Sequence, residues 1–143
     1  MRPGLILVAA FALQRLGHLL GEPRYLTAAE RTLRLFWPTL SQSPAGFGSL
    51  LPALAEALTP PDIVVLRGPA QDLLGWQRFL GADPCRLVLA LPNGLNDLPA
   101  ALGKPESARA QAWLCRGAAC LAPVAGMPAL KPLLAFPEKC NAV

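Results

Sequence analysis

The sequence of 143 residues contains a single histidine, and only 15% of its residues are charged. His18 alone cannot form a histidine-based metal site or the paired-histidine acid–base arrangement of a sugar epimerase. The carboxylates also fail to suggest a glycosidase pair, because four aspartates fall near predicted loops or helix caps, where Asp is favoured for backbone reasons: Asp62, Asp72, Asp83 and Asp97. We therefore expect no metal, no cofactor and no catalytic residue among these groups.

The sequence also lacks any run of like charge, although Lys and Arg outnumber Asp and Glu by 13 to 9. A nucleic-acid-binding protein usually concentrates its basic residues on one stripe. Here seven arginines are spread along the chain, and we interpret them as lying on solvated faces: Arg15, Arg24, Arg31, Arg34, Arg67, Arg78 and Arg86. The charge pattern thus predicts no nucleic-acid partner.

No apolar run reaches the roughly 18 residues that a membrane-spanning helix needs. The first segment, MRPGLILVAAFAL, has the outline of a secretory signal, but its apolar pattern continues in helical register to Leu20. A buried helix explains this continuation better, so we expect a cytoplasmic protein that does not bind membranes.

Residues 1–58 show helical spacing of apolar residues throughout. In the first helix one face should be buried, with Gln14, Arg15 and His18 turned away from it: Leu5, Val8, Ala12, Leu16 and Leu19. Thr27 and Glu30 form a capping box that should start a second helix, and Pro38 should end it. A third helix should bury one side, with Pro52 starting or kinking it: Phe47, Leu50, Leu51, Leu54 and Leu58.

From residue 59 onward the pattern changes to short β-branched runs. We predict strands at Ile63–Gly68, Cys85–Pro92 and Ala110–Cys115, and a helix at Gln71–Gly81. Strand–helix–strand order implies parallel pairing. The expected fold is therefore α+β, with helical hairpins in residues 1–58 followed in residues 59–143 by a small subdomain that has a short, mostly parallel sheet.

The turn between the first strand and its helix, VVLRGPAQDLLG, is where α/β units often bind phosphate. The glycine-rich signatures that such binding needs are missing, since the turn holds one glycine and a proline. We interpret it as a structural turn.

Two of the four cysteines, Cys115 and Cys120, lie within six residues in CRGAAC. A zinc site would need further close ligands, whereas Cys85 and Cys140 are single and distant. The spacing differs from the C-x-x-C of thiol oxidoreductases, which places a thiol at a helix N-terminus. A tight turn could still join the two sulfurs reversibly, so reduced structural thiols and a redox or disulfide pair both stay open.

The order of these features resembles the carboxy-terminal end of a known family. The resemblance runs from about Leu13 to about Leu130, and AWLCRGAAC is its most specific part; the other matching segments are LGEPRYLTAAERTLRLFWPTL, SPAGFGSLLPALAEAL, DIVVLRGPAQDLLGWQ and CRLVLALP. The family is the thioredoxin-domain-containing, six-hairpin-glycosidase-like family, called YyaL-type in bacteria and spermatogenesis-associated protein 20 in animals.

The resemblance implies that residues 1–58 are the last part of an α/α toroid and that residues 62–130 are the tail packed against it. Full-length members begin with a thioredoxin-like domain that this chain does not contain, so neither a thioredoxin active site nor a glycosidase cleft carries over. Only Cys115 and Cys120 map onto a family motif, and Cys140, in FPEKCNAV, has no counterpart in it.

Three functional hypotheses follow. The first is a non-catalytic carboxy-terminal part of this family, with a carbohydrate-related or thiol-redox role, whose partners are the thioredoxin-like and toroid parts that this chain lacks. The second is a self-standing α/β interaction module that forms a homodimer through its apolar helices. The third is a thiol oxidoreductase that uses Cys115 and Cys120.

Overall fold

The computed structural model describes residues 3–117 and 119–134, and the chain forms two compact units, Met1–Pro60 and Pro61–Val143. The first unit is helical and the second combines a four-stranded sheet with helices. The α+β fold class is thereby confirmed. In the described part of the chain, no helix has the length and apolar character needed to cross a membrane.

The helical unit consists of α1 (Pro3–Leu20), α2 (Pro23–Gln42), a 3-10 helix (Pro44–Leu50) and α3 (Leu51–Leu58). Its small core includes Leu33 and Leu40 of α2 together with Leu50 and Ala53. Phe36 and Phe47 pack against this core as a tilted ring pair with centroids 6.5 Å apart. Pro52 lies at the start of α3, which is one of the two roles that the sequence predicts for it.

The bounds of α2 differ from the prediction at both ends. The helix begins at Pro23, so the Thr27–Glu30 capping box lies inside it; Pro suits this first position because the missing N–H would have no helical partner. At the other end α2 continues through Pro38 to Gln42. Leu40, beyond the proline, is only 4% exposed, and its burial offsets the hydrogen bond that Pro38 cannot donate.

The buried face of α1 is the opposite of the predicted one. Leu5, Val8 and Leu16 are 69%, 58% and 45% exposed, whereas Gln14, predicted to turn outward, is 4% exposed. Small residues explain the inversion, because a Cβ on Gly17 would lie 2.6 Å from Leu26 Cδ2 of α2. The helices therefore approach along the side of α1 that carries Gly17.

The second unit consists of β1 (Asp62–Gly68), α4 (Ala70–Leu80), β2 (Arg86–Pro92), β3 (Gln111–Arg116), β4 (Ala119–Cys120) and α5 (Met127–Leu134). The sheet order is β2-β1-β3-β4. One face of β1 and β3 packs on α4 and on Leu130 of α5 through a core of buried residues: Val64, Leu66, Leu73, Trp76, Leu80, Ala112 and Leu114.

The sheet is mixed rather than mostly parallel. β1 and β2 pair in parallel, from Asp62↔Arg86 to Gly68↔Pro92, as predicted for a strand–helix–strand unit. β3 pairs with β1 in the antiparallel sense. Residues 93–110, which join β2 to β3, contain no helix, and the amide N–H of Asn93 bonds to Gly68 O at the end of β1. The connection enters β3 from the edge where β1 and β2 end, so β3 runs back.

Candidate functional site

The candidate site is the β3–β4 hairpin, in which Cys115 and Cys120 form a disulfide. Gly117 begins its turn with a φ of 60°, a left-handed conformation that glycine adopts without steric cost. Cys115 is the direct cross-strand partner of Cys120, and their Cα atoms are 3.9 Å apart. The sequence left thiols and a disulfide open, and the structure contains the disulfide.

The register of the hairpin explains why these two positions meet. The N–H of Leu121 donates to Leu114 O at 2.8 Å, which makes Leu114 and Leu121 a hydrogen-bonded pair. The next pair along an antiparallel ladder has no hydrogen bonds, and its side chains approach each other most closely. Cys115 and Cys120 occupy this pair, so a spacing of five residues suffices to bring the two sulfurs together.

The two sulfurs lie in different environments. Cys115 is 5% exposed and sits beside Ile63 of β1, on the sheet face opposite to the α4 core. Cys120 is exposed on the outer strand of the sheet. Reagents dissolved in water therefore reach the pair through the sulfur of Cys120.

A lysine contacts the exposed sulfur. Lys104 Nζ donates a hydrogen bond to Cys120 Sγ at 3.3 Å, from a position sixteen residues earlier in the chain. An ammonium group beside a cysteine stabilises the thiolate, the form in which cysteine is a nucleophile and a leaving group. Lys104 was not identified from the sequence, because nothing in its spacing relates it to the cysteines.

A cluster of polar contacts holds the connection that carries Lys104. Arg67, read from the sequence as a solvated residue, is instead 3% exposed, which corrects that interpretation. It donates to Pro92 O at 2.9 Å, to Leu95 O at 3.1 Å and to Glu106 Oε1 at 2.9 Å. Glu106 also accepts the N–H of Gly94. We call these five residues the Arg67 clasp.

The Arg67 clasp lies at the edge where β1 and β2 end, the edge at which α/β sheets commonly bind ligands. Here the Arg67 guanidinium binds groups of the protein itself instead of a ligand. Its Nε is buried without a hydrogen-bond partner among the described residues. The neighbouring turn is close-packed, since a Cβ on Gly68 would lie 2.5 Å from Ala110 Cα. Asp72, in the first turn of α4, accepts the N–H of Ala110 at 3.3 Å. The turn thus ties β1 to the start of β3.

The remaining aspartates have backbone or ion-pair roles. Asp62 binds the Arg116 guanidinium through both oxygens, at 2.9 and 3.3 Å, and this bond raises the pKa of Arg116. Asp83 accepts the N–H of Cys85 at 2.9 Å and pairs with Arg86. Asp97 has a positive φ of 57° in the connection between β2 and β3. None of these contacts brings two carboxylates together.

The helical unit contains a buried carboxyl group that the sequence analysis did not single out. Glu56 of α3 is buried, and Arg15 Nε donates to its Oε2 at 3.1 Å. Burial raises the pKa of Glu56, and the Arg15 bond opposes this shift without cancelling it. Desolvation lowers the pKa of His18, the single histidine. These groups lie apart in sequence from the cysteines and form a separate feature.

Residues that could ligate a metal do not assemble in the described ranges 3–117 and 119–134, where no three His, Cys, Asp or Glu side chains come together. Cys85 is also disulfide-bonded, and Cys140 and the segment FPEKCNAV lie outside the described residues. Comparisons of the chain with protein-family models, curated proteins and solved structures gave no match.

Proposed function

We propose that this protein takes part in thiol–disulfide exchange through Cys115 and Cys120. The observation that carries the proposal is the position of the disulfide in a surface hairpin, with Cys120 exposed and in contact with Lys104. Exchange requires a thiolate to reach one sulfur of a disulfide and the other sulfur to leave. Only an accessible disulfide allows this reaction in the folded state.

The short loop supports a reversible bond over a purely structural one. A disulfide stabilises mainly by closing a loop in the unfolded chain, and its effect grows with loop length. For a separation of five residues this contribution is only about 2 kcal/mol, against about 4.7 kcal/mol for a loop of 100 residues. The α4 core of the second unit does not contain either sulfur. We therefore expect the fold to survive reduction of this bond.

The predicted location is consistent with this role. In the cytoplasm of most organisms thiols are kept reduced, and the disulfides that do form there are usually catalytic or redox-sensing. A cytoplasmic location is part of the proposal. In that compartment the Cys115–Cys120 bond would form and break during a reaction cycle rather than persist.

The test is a redox titration of the native protein in buffers of reduced and oxidised glutathione. After acid quenching and alkylation, trypsin cleaves after Arg116, so the two cysteines are followed on separate peptides. We expect both thiols to appear together while the circular dichroism of the native fold is retained. Cys120→Ser and Cys115→Ser should each abolish the paired transition. A bond that is reduced only after denaturation would contradict the proposal.

A second function is favoured by the helical unit. Leu5, Val8 and Leu16 form an exposed apolar stripe at helical spacing along α1, and Leu35 and Trp37 of α2 are exposed as well. We propose that this stripe contacts further helical hairpins of a larger protein similar to the thioredoxin-domain-containing, six-hairpin-glycosidase-like family. The chain would then be its non-catalytic carboxy-terminal part.

The state of the isolated chain in solution tests this second proposal. We expect concentration-dependent association without a defined size, and a shift to monomer when Val8→Ser and Leu16→Gln are combined. As a control, Leu58→Gln changes an exposed leucine of α3 and should leave association unchanged. A wild-type chain that is monomeric at high concentration would refute the idea. A discrete dimer would instead support the interaction-module hypothesis.

A further inference from the structure

We propose that Lys104 is a positioning residue that stabilises the Cys120 thiolate, so that Cys120 attacks a substrate disulfide and Cys115 resolves the product. This inference rests on the proposed exchange function. It assigns different roles to two cysteines that the sequence alone cannot distinguish. It also adds a third residue to the site, from a segment outside the hairpin.

The position of Lys104 is fixed from both sides. Leu102, two residues before it, is buried, and the N–H of Lys104 bonds to Leu102 O at 2.7 Å. Glu106, two residues after it, is held by Arg67 and by the N–H of Gly94. The ammonium group therefore reaches Cys120 Sγ from a short segment with an anchor at each end.

Two charged residues close in sequence to Cys115 and Lys104 are paired with other groups. Arg116, next to Cys115 in the chain, binds Asp62 and donates to Leu133 O at 3.2 Å. Glu106 is paired with Arg67 at 2.9 Å. Lys104 makes no ion pair within residues 3–117 and 119–134, and its ammonium group contacts the Cys120 sulfur at 3.3 Å. Its charge is thus available to the thiolate.

The burial of Cys115 suits a resolving cysteine. A thiol that is 5% exposed is shielded from a protein disulfide, and desolvation disfavours its ionised form. Its sulfur nevertheless lies next to Cys120, since their Cα atoms are 3.9 Å apart. Cys115 can therefore attack a mixed disulfide at Cys120 without first reaching solvent.

The reaction begins with the reduced pair and a substrate disulfide. The Cys120 thiolate attacks one substrate sulfur, which forms a mixed disulfide and releases the first substrate thiolate. Cys115 then loses its proton and attacks Cys120 Sγ, which forms the Cys115–Cys120 bond and releases the second substrate thiolate. The protein pair loses two electrons, the substrate disulfide gains them, and both released thiolates take protons from water or from the Cys115 thiol.

The first test measures how the alkylation rate of Cys120 in the reduced protein depends on pH. An ordinary cysteine ionises near pH 8.5, and a neighbouring lysine lowers this midpoint. We expect Lys104→Gln to raise the wild-type midpoint by about one pH unit, and so to slow alkylation roughly tenfold at pH 7. Lys104→Arg should keep the midpoint near the wild-type value, because it retains a positive charge.

Lys131→Gln is the matched control, because it removes the same charge from an exposed site in α5. A midpoint unchanged by Lys104→Gln, or raised equally by Lys131→Gln, would overturn the assignment. A midpoint of about 8.5 or above in the wild-type protein would also overturn the assignment, and this measurement requires no variant. These outcomes differ from failure of the exchange function, in which the native disulfide would resist glutathione altogether.

The second test traps the intermediate with oxidised glutathione. Reduced Cys115→Ser should accumulate a glutathione adduct on the Cys120 peptide, because no resolving thiol is present. Reduced Cys120→Ser should form an adduct on Cys115 at least tenfold more slowly, since that sulfur is buried. Equal rates for the two variants, or faster modification of Cys115, would reverse the order of attack and overturn the inference.

Discussion

Replacing Arg67 with methionine should destabilise the second unit more than any change at an exposed arginine. Arg67→Met keeps much of the apolar stem but removes the donors to Pro92 O, Leu95 O and Glu106 Oε1. Breaking a buried ion pair costs about 3–5 kcal/mol. Glu106 is 51% exposed and can regain water, so we expect a value near the lower limit, about 3 kcal/mol.

Urea unfolding followed by tryptophan fluorescence measures this loss. Trp76 and Trp113 are buried in the second unit, whereas Trp37 of the helical unit is 53% exposed, so the signal reports mainly on the unit that contains Arg67. Arg67→Lys should lose about as much as Arg67→Met, because a single ammonium group cannot serve three acceptors in this geometry.

Arg78→Met is the matched control, since Arg78 is exposed on α4 and should change the free energy of unfolding by less than about 0.5 kcal/mol. The reasoning would be refuted if Arg67→Met cost under about 1 kcal/mol, or no more than Arg78→Met. Either result would mean that water or the relaxed loop satisfies the carbonyl groups as well as Arg67 does.

Two further predictions concern stability. Burial raises the pKa of Glu56 above its ordinary value in the folded state, so the native protein binds the proton more tightly than the unfolded chain does, and stability is lost as pH rises through the raised pKa. Glu56→Gln should remove this loss. In urea unfolding, the free energy of unfolding of the variant relative to wild type should be higher at pH 8 than at pH 4. A difference between the two proteins that does not depend on pH would contradict this reasoning. Gly68→Ala should lower the free energy of unfolding by about 3 kcal/mol, because its Cβ would meet Ala110 Cα. Gly75→Ala, inside α4, should instead be neutral or stabilising by up to about 1 kcal/mol, and thermal melts compare the two.

Four elements of the second unit, β1, α4, β2 and β3, were predictable because local patterns determine them, whereas β4 and α5 were not predicted. Ile63–Leu66 is a continuous β-branched and aliphatic run, and β1 covers the predicted strand Ile63–Gly68 with one additional residue, Asp62. The direction of β3 was not predictable in this way. It depends on the route of residues 93–110, and that route is set by contacts such as Asn93 N–H to Gly68 O, which no periodicity records.

In the helical unit, the apolar spacing predicted the helix but not the face that it buries. α1 carries apolar residues on two sides, so a spacing of three and four identifies a helix without choosing its buried face. The large side chains suggested the face with Leu5, Val8 and Leu16, but α2 packs near Gly17, where its backbone can approach closely. Small residues at helical spacing were the signal that could have predicted this face.

The candidate site was predictable only in part, because one of its residues is placed by tertiary contacts that the sequence pattern does not show. Cys115 and Cys120 were identified because they are close in sequence, and a hairpin keeps neighbouring residues together. Lys104 contacts Cys120 through a connection that has no regular structure. The position of a charged group on such a segment depends on the tertiary contacts that hold the segment in place. In this protein those contacts are made by Leu102 and by the Arg67 clasp.

Because Lys104 provides the charge and other residues hold its segment in place, the reactivity of Cys120 and the stability of the fold can be changed separately. Lys104→Gln removes the charge and leaves both anchors, so it should change the pH profile of Cys120 with little effect on unfolding. Glu106→Gln keeps Lys104 but weakens the bond to Arg67 on one side of it. If the Arg67 clasp positions the lysine, this variant should lower stability and also raise the alkylation midpoint of Cys120. A loss of stability with an unchanged midpoint would show that Leu102 alone is enough to place the ammonium group at the sulfur.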